Sequence, residues 1–378
     1  MRSIKSICVV SPGYPTEYDA DYPFVEQLCI AFAKQGVNVK VICPQSITSA
    51  IIHKKKLHPL YRNNSIPGSG KLEIYQPLFI SLPDRFSRFN IWSKFLAARF
   101  LKKYYSECDV CYCHFWSSSV LANYLFGSLE TKMFVATGES DIKRLLGKSL
   151  AEVKKIKKIK GVIAVSTKNL EESVSLGLIE KEVAEVFPNS VDCSLFHKID
   201  KSSSRKKLGL PQNAFIVTFV GGFIERKGVL RLAEALSGIE DVYSIFIGAG
   251  NQDPVCHNIL HKGPVPHGQI PLYLNASDLF VLPTLKEGCC NSIIEAMACG
   301  VPVVSSNLSF NWDVLNDNNS LLVDPTDVND IRNAIVLMRD NEEERTRLVQ
   351  GALETAKSLT IDSRASKILE FINSKLVE

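Results

Sequence analysis

The chain has 378 residues, of which 46% are hydrophobic and 22% are charged, and its formal net charge is +4. This length is too great for one small core and predicts two domains, and the composition excludes a disordered or fibrous protein. No run of about 18 apolar residues occurs, so the sequence predicts no membrane-spanning helix. The positive charge is concentrated in the first 200 residues, which makes that half better suited to an anionic partner.

The first predicted element is a strand over Ser6–Val10, an apolar run too short for a signal peptide and followed by Gly13. The same pattern of strand, glycine-bearing loop and helical periodicity returns at Phe215–Val220 and Gly222. Both halves then alternate apolar runs with helical segments, which is typical of parallel α/β sheets. Further strands are predicted at 37–43, Val110–His114, 133–136 and 161–166, and then at 243–248, 278–282, 301–305 and Ser320–Val323.

Residues 85–104 interleave aromatic, apolar and basic side chains, as do helices that lie on anionic lipid. Residues 143–160 add further cations. We predict peripheral contact with a membrane surface through 85–104. A core helix with a solvated basic face remains an open alternative.

Eleven cysteines at irregular positions do not form a disulfide framework and are predicted to be buried thiols in a reducing cytosol. Cys108, Cys111, Cys113 and His114 lie close together, but no second ligand pair at a suitable spacing accompanies them. Strand alternation places Cys111 and Cys113 on one face. We therefore interpret the group as buried strand cysteines and predict no metal site.

The densest pattern lies in residues 278–305. An apolar run is followed by a polar loop that carries Glu287, and then by an amphipathic helix for which Asn291 is the predicted N-cap. The amides at the start of that helix and its dipole favour phosphate. Glu287 in the loop and Glu295 about one helical turn further on could reach two hydroxyl-bearing parts of one ligand. A sugar nucleotide has that shape.

This region resembles the E-x7-E region of the retaining family 4 glycosyltransferases. The resemblance lies in the order of Glu287-Gly288, Asn291-Ser292, the helix with Glu295 and the strand at 301–305. The resemblance implies an α/β protein with the GT-B fold, in which two facing Rossmann-like domains with parallel sheets enclose an interdomain cleft. Two solvated carboxylates on an ordinary βαβ unit remain the open alternative.

Residues 188–192 resemble the family's Pro-Asn-Gly-Val-Asp turn at the interdomain crossing, with Ser190 where glycine is usual. The resemblance implies an acceptor-binding domain over 1–195 and a nucleotide-sugar-binding domain over 196–360. It also implies that a helix over 361–378 crosses back to the first domain.

The resemblance further implies roles for single residues. Lys227 matches the lysine of the family's Arg-x4-Lys motif. The arginine of that motif is absent, because Gly222 stands at its position, and Arg226 is predicted to replace it. Both cations would then stabilise the leaving diphosphate. Glu287 would contact the transferred sugar, and His114 would face the reaction centre from the acceptor side. Solvated cations and a structural histidine remain the alternatives. The predicted catalytic residues are Glu287, Lys227, Arg226 and His114.

Glu295 would bind the ribose hydroxyls, and Val265, in the loop at 262–266, would pack on the base. A plain turn with Pro264 and Pro266 remains the alternative for this loop. The predicted donor-binding residues are Gly13, Gly222, Val265, Gly288, Cys289, Cys290, Asn291, Ser292 and Glu295.

The sequence therefore predicts a retaining glycosyltransferase that moves a hexose from a nucleotide diphosphate sugar, expected to be UDP-linked, to a glycan or polyprenyl-diphosphate-linked acceptor. Surface polysaccharide such as capsule, O-antigen or lipopolysaccharide is the expected product. No cofactor or metal is expected, because no Asp-x-Asp suited to a Mg²⁺ diphosphate site accompanies these motifs. The expected place is the cytoplasm, at the inner face of the plasma membrane.

Other functions remain open. A GT-B epimerase or phosphorylase, or a non-catalytic nucleotide-sugar-binding protein, would share the same fold. A Rossmann dehydrogenase is disfavoured because the stretch from Gly248 to Asp253 lacks the third glycine. No nucleic-acid partner is predicted, since a recognition motif is missing.

Overall fold

A computed structural model describes residues 4–15, 22–65, 69–83 and 86–377 of the chain. The chain divides into unit 1, which contains Met1–Phe187 and Ile361–Glu378, and unit 2, which contains Pro188–Thr360. The division falls at the start of the Pro188 turn, a few residues before the expected position at 195. Ser190 is not among the described non-glycine residues with positive φ, so its backbone does not require glycine.

Unit 1 is built on a largely parallel sheet with helices on both faces. Its strands are β1 (Ser6–Val10), β2 (Asn38–Ile42), β3 (Gln45–Ser46), β4 (Tyr61–Ser65), β5 (Lys71–Tyr75), β6 (Leu78–Phe79), β7 (Val110–His114), β8 (Lys132–Thr137), β9 (Ile159–Ala164) and β10 (Ala184–Val186). Its helices up to residue 187 are α1 (Pro23–Lys34), α2 (Ile47–Ile52), α3 (Ser87–Ala98), α4 (Lys102–Tyr105), α5 (Trp116–Phe126), α6 (Ile142–Leu146), α7 (Leu150–Val153) and α8 (Thr167–Ser175).

The main sheet of unit 1 has the order β10-β9-β8-β7-β1-β2-β5-β4, and only β4 is antiparallel to its neighbour. Alternate residues of β1 enter the two different cores, Ile7 and Val9 on one face and Cys8 and Val10 on the other. Because both faces are covered, the strand is a continuous apolar run. β3 and β6 form a separate two-stranded sheet.

Unit 2 has a fully parallel sheet, in which helices join β11 to β12, β13 to β14 and β14 to β15, while loops and turns join the other consecutive strands. Its strands are β11 (Phe215–Val220), β12 (Val242–Ile247), β13 (Ile259–Gly263), β14 (Leu279–Leu282), β15 (Val303–Ser306) and β16 (Ser320–Val323). Its helices are α9 (Lys201–Leu208), α10 (Val229–Ser237), α11 (Ile270–Ala276), α12 (Asn291–Ala298), α13 (Val328–Asp340) and α14 (Glu342–Ser358). The strand order is β13-β12-β11-β14-β15-β16.

The last helix, α15 (Ile361–Val377), packs within unit 1. The Phe371 ring contacts the rings of Phe134 and Phe187, with centroids 6.3 and 6.0 Å apart. The Asn373 side chain accepts a hydrogen bond from the Ile4 backbone at 3.0 Å. The first and last described parts of the chain are therefore joined in one core.

The α/β prediction is confirmed, and every predicted strand is present with its ends shifted by at most two residues. Cys111 and Cys113 lie on one face of β7, with their sulfur atoms 3.9 Å apart, as alternation predicts. None of the eleven cysteines, all of which are described, takes part in a disulfide, and eight of them are buried, but Cys193 is exposed, contrary to the prediction. Cys193 follows the Pro188 turn and lies outside any strand, so alternation does not bury it.

Candidate functional site

The loops that follow β11 and β14 meet at the carboxyl edge of the unit 2 sheet. β11 lies between β12 and β14, and this reversal of strand order creates the crevice in which α/β folds bind ligands. The loop after β11 carries Arg226 and Lys227, and the loop after β14 carries Glu287. Gly228 lets the loops touch, because its φ is +78° and a Cβ there would lie 2.3 Å from the Pro283 carbonyl oxygen.

Arg226, Lys227 and Glu287 form one charge cluster. Lys227 Nζ lies 2.6 Å and Arg226 Nη1 lies 2.7 Å from Glu287 Oε1. Thr284 Oγ1 donates a hydrogen bond to the same oxygen at 2.8 Å, and Arg226 also donates to the Lys286 carbonyl. The structure therefore brings together three of the four predicted catalytic residues.

The cluster holds its charges at neutral pH. Burial acts to raise the pKa of the Glu287 carboxyl, but the Lys227 and Arg226 cations and the hydrogen bonds outweigh burial and keep that pKa below its ordinary value. Burial acts to lower the pKa of Lys227, whereas Cys290 and Glu287 raise it above its ordinary value. A ligand phosphate that enters the crevice would compete with Glu287 for two cations.

Helix α12 begins at Asn291, and its N-cap is Cys290, whose side chain makes no capping hydrogen bond. The prediction that Asn291 is the N-cap is therefore wrong. The Asn291 side-chain oxygen accepts a hydrogen bond from Asn189 at 2.7 Å, and Asn189 also donates to the Cys289 carbonyl at 3.0 Å. The first-turn amides lack intrahelical partners and a side-chain cap, which leaves them suited to an anion.

The other predicted donor residues near α12 lie at the same helix start. Cys290 Sγ is 3.8 Å from Lys227 Nζ and 3.3 Å from Ser292 Oγ, so it joins the helix to the charge cluster. Gly288 and Cys289 form the loop between Glu287 and the helix.

Glu295 lies in the second turn of α12 and pairs with His267, which the sequence analysis did not single out. Glu295 Oε1 is 3.4 Å from His267 Nε2, and the His267 ring meets the Phe196 ring edge-on with centroids 5.3 Å apart. The hydrogen bond with Glu295 raises the pKa of His267 above its ordinary value, against the effect of burial, and Asp192 adds to the shift. In the sequence, His267 follows closely after Val265 in the loop predicted to contact the base, and this position could have identified His267.

Val265 and Gly222 flank this part of unit 2. Val265 packs, half-buried, against the hydrophobic core. A Cβ at Gly222 would have no atom closer than 3.8 Å, so the absence of an arginine there is not imposed by crowding. The Arg226 guanidinium, four residues later, already contacts Glu287.

Gly13 and His114 lie in unit 1, at the carboxyl ends of β1 and β7. His114 is 6% exposed, and its Nδ1 has no hydrogen-bond partner among the described residues. Burial, with a contribution from Arg364, lowers the pKa of His114 to about 3. The imidazole is therefore neutral at physiological pH.

A second residue that the sequence analysis missed, Glu139, holds the backbone beside His114. Glu139 is buried and accepts hydrogen bonds from the Trp116 amide at 2.9 Å, the Thr137 hydroxyl at 2.7 Å and the Gly138 amide at 2.9 Å. Burial raises its pKa despite these bonds. The residue between His114 and Trp116, Phe115, has φ of 78°, a strained backbone for a non-glycine residue, which the Glu139 contacts help to maintain.

Part of the segment 85–104 is also described, although Arg85 lies outside the described residues. In α3, Ile91 and Phe95 pack toward the core of unit 1, whereas Phe89 and Trp92 are 36% and 55% exposed, with ring centroids 6.0 Å apart. Phe100, just beyond α3, is 73% exposed. Some side chains of the segment therefore pack against the core, whereas others form an exposed aromatic surface.

The described residues contain no group of three or more His, Cys, Asp or Glu side chains that could hold a metal ion. They also contain no helix long and apolar enough to cross a membrane.

Comparison with known proteins finds a family model that matches part of the second half of the chain. Residues 200–355 match the family described as glycosyl transferases group 1. This region contains Arg226, Lys227, Glu287, His267 and Glu295. The charge cluster and the Glu295 pair both lie inside the matched region.

Two relatives extend the comparison. A protein assigned to teichuronic acid biosynthesis as a glycosyltransferase in Bacillus subtilis (strain 168) is 26% identical over 348 residues, which cover 86% of each chain. The UDP-Gal:alpha-D-GlcNAc-diphosphoundecaprenol alpha-1,3-galactosyltransferase of Escherichia coli is 34% identical over 175 residues, which cover 42% of this chain and 45% of that protein.

The solved structures establish the fold. The sucrose-phosphate synthase from Thermosynechococcus elongatus superposes with a TM-score of 0.80 at 19% identity and covers 99% of both chains. The predicted GT-B fold with two Rossmann-like domains is thereby confirmed.

Proposed function

We propose that this chain, a glycosyltransferase with a group 1 domain over residues 200–355, moves a hexose from a nucleotide diphosphate sugar to a lipid-linked or glycan acceptor in polysaccharide synthesis. The observation that carries the proposal is the cluster of Arg226, Lys227 and Glu287 beside the uncapped start of α12. Two cations and a set of helix amides at a crevice of this kind suit a diphosphate.

In the proposed reaction the bond between the sugar C1 and the diphosphate oxygen breaks, and negative charge accumulates on the leaving group. Lys227, Arg226 and the first-turn amides of α12 stabilise that charge, which is the largest contribution such a site can make. Glu287 pairs with both cations before the donor arrives and leaves the cluster with one net positive charge. It then accepts hydrogen bonds from sugar hydroxyls. Glu295, oriented by His267, binds the ribose.

The acceptor hydroxyl attacks C1 from the face that the diphosphate leaves, so that the anomeric configuration is retained. The leaving phosphate oxygen accepts the proton of that hydroxyl, and the proposal needs neither a metal ion nor a separate general base. His114, which is neutral at physiological pH, serves as a hydrogen-bond partner for a sugar hydroxyl and does not act as a proton donor in its charged form.

The proposed donor and acceptor are supported by one of the relatives. The Escherichia coli relative is named for a UDP-sugar donor and a diphosphoundecaprenol-linked acceptor, and we assign a UDP-linked hexose and a polyprenyl-diphosphate-linked glycan to this chain. Capsule or O-antigen is the proposed product. A polyprenyl-linked acceptor would place the enzyme in the cytoplasm, at the inner leaflet, with Phe89, Trp92 and Phe100 of segment 85–104 in contact with lipid.

The donor proposal is tested by a thermal-shift panel of UDP-, GDP- and ADP-hexoses on the purified chain. A UDP-hexose at 100 times its dissociation constant should stabilise the protein by about 2.7 kcal/mol. Lys227→Ala should abolish most of this shift, because it removes a buried cation from the diphosphate site. Glu354→Gln, an exposed change on α14, is the control and should leave the shift unaltered.

If no nucleotide sugar of the panel stabilises the chain, the proposed function is wrong. Release of UDP during incubation of the UDP-hexose with a lipid-linked acceptor, but not without it, distinguishes transfer from the epimerase and phosphorylase alternatives. Stabilisation without any UDP release would instead indicate a non-catalytic binding protein.

A further inference from the structure

A cavity of about 230 Å³ lies in unit 1, at the carboxyl edge of its sheet. Its wall is formed by the loop after β1, the chain from the end of β2 into α2, residues 55–58 after α2, the end of β5, and side chains from β6 and α3. In parallel α/β sheets this edge is where ligands bind. The cavity belongs to unit 1 alone and contains none of the donor-site residues of unit 2.

The described residues that line this cavity carry positive charge and hydroxyl groups but no carboxylate. Lys55, Lys56 and Lys94 contribute ammonium groups, and Ser46 and Ser49 contribute hydroxyls. A lining that contains cations and hydroxyl groups and no described carboxylate is suited to an anion.

Lys94 is the cation whose position is least explained by the protein alone. Its Nζ lies 5.1 Å from the centre of the Phe79 ring, and no hydrogen bond or ion pair joins it to another described residue. Burial lowers the pKa of Lys94 below its ordinary value. A half-buried ammonium beside an aromatic ring loses hydration without gaining a counter-charge. An anion in the cavity would supply that counter-charge.

Exposed apolar side chains lie on the chain segments that form the cavity wall, or directly beside them in sequence. Ile51 and Ile52, at the end of α2, are 73% and 68% exposed, Leu57 is 45% exposed, and Ile80, next to β6, is 56% exposed. A basic cavity beside exposed aliphatic side chains matches an amphiphile in which a phosphate joins a hydrocarbon chain to a polar group.

We propose that this cavity binds the phosphate or diphosphate group of the acceptor, with Lys94 as the cation that contacts it. The inference rests on the proposed function and deepens it, because it assigns the anionic part of the acceptor to unit 1 and the donor diphosphate to unit 2. The shared chemistry is an anionic phosphate ester, carried either by a lipid or by a water-soluble sugar phosphate.

The test measures binding of farnesyl diphosphate and of inorganic diphosphate to the full chain by calorimetry, with UDP present at saturation to occupy the donor site. Lys94→Met keeps the length and volume of the side chain but removes its charge, and it should weaken both ligands by about tenfold or more. Lys94→Arg, which keeps the charge, should retain most of the affinity. Lys367→Met, at an exposed position of α15, is the matched control and should bind as the unchanged chain does.

Equal binding of farnesyl diphosphate to the unchanged chain and to Lys94→Met, with both proteins folded by circular dichroism, would overturn the inference. Farnesol, which has the chain but no anion, should not compete. Tighter binding of farnesyl diphosphate than of inorganic diphosphate supports a lipid-linked source, and equal binding supports a water-soluble one. If UDP-hexoses bind and neither diphosphate does, only this inference fails, whereas failure of the UDP-hexoses refutes the proposed function itself.

Discussion

At the residue scale, the two carboxylates of the E-x7-E region have different partners and therefore different electrostatic states. Glu287 contacts Arg226 and Lys227, and the pKa of Lys227 is raised above its ordinary value by Cys290 and Glu287, against burial, whereas Glu295 contacts one imidazole. A change of pH between about 6 and 8 therefore affects the Glu295 pair and leaves the Glu287 cluster intact.

The His267 pair gives a prediction about pH. The pKa of His267 in the folded chain lies above its ordinary value, so the pair stabilises the fold fully below pH 6.5 and loses this contribution as pH rises through the folded pKa. Glu295→Gln removes the carboxylate and should lower the His267 pKa. An NMR titration of the His267 ring in both proteins measures the change.

Glu354→Gln, on the exposed face of α14, is the control for that titration and should leave the His267 curve where it is. An unaltered His267 titration in Glu295→Gln would show that the 3.4 Å contact does not affect the pKa of His267 in solution. The stability difference between pH 6 and pH 8, measured by urea unfolding, should also shrink in this variant.

Some of these residues could be predicted from the sequence, and others could not. Glu287, Lys227 and Glu295 lie in motifs whose order along the chain is informative. His267 and Glu139 act through partners 28 and 23 residues away, on other elements, and a single sequence does not show such pairs. The Asn291 prediction failed because Asn189, distant in the chain, takes up the side chain that would otherwise cap the helix.

At the element scale, the donor crevice depends on the close approach of the loops after β11 and β14. Gly228 permits it, and Arg231 on α10 strengthens it by donating hydrogen bonds to the Pro283 and Pro325 carbonyls at 2.9 and 2.7 Å. The charge cluster therefore sits on a backbone that is fixed from both sides.

Gly228→Ala should destabilise the chain by about 2 kcal/mol or more, since alanine at φ of +78° is strained and its Cβ would clash with the Pro283 carbonyl. Urea unfolding measures the loss. Gly268→Ala is the matched control, because no atom lies within 4 Å of a Cβ there and its φ is not positive, and its unfolding midpoint should stay close to that of the unchanged chain. Equal midpoints for the two variants would contradict the steric argument.

The elements themselves were predictable where hydrophobic periodicity is strong. Strands buried on both faces, such as β1, β7 and β11, appear in the sequence as continuous apolar runs. Six described strands escaped prediction. β3 and β6 form the small separate sheet, β4, β10 and β13 are edge strands, and β5, beside β4, alternates charged and apolar residues. Their backbone pairing depends on a neighbouring strand and not on their own composition.

At the scale of the whole molecule, the basic and exposed aromatic part of unit 1 predicts a measurable affinity for anionic membranes. Lys102→Gln with Lys103→Gln should lower partitioning to phosphatidylglycerol vesicles by about 1 kcal/mol for each charge removed. Trp92→Ser should lower the partitioning further, because the substitution removes an exposed ring from the contact with lipid. Co-sedimentation with the vesicles measures both effects.

The matched control is Lys206→Gln with Lys207→Gln, which removes two exposed lysines from α9 in unit 2. Partitioning that falls equally in the control would show that net charge, and not the segment 85–104, governs attachment. Lys94 is not part of this test, because it faces the cavity and not the solvent.

The position of α15 has a consequence for how the chain reaches its native state. Residues 361–377 complete the core of unit 1, whereas the residues of unit 2 are contiguous. During synthesis, therefore, unit 2 can fold once residue 360 has left the ribosome. The strands around Phe134 and Phe187 are made earlier but cannot complete their core until Phe371 has followed. The part of the chain that is made first is the part that finishes folding last.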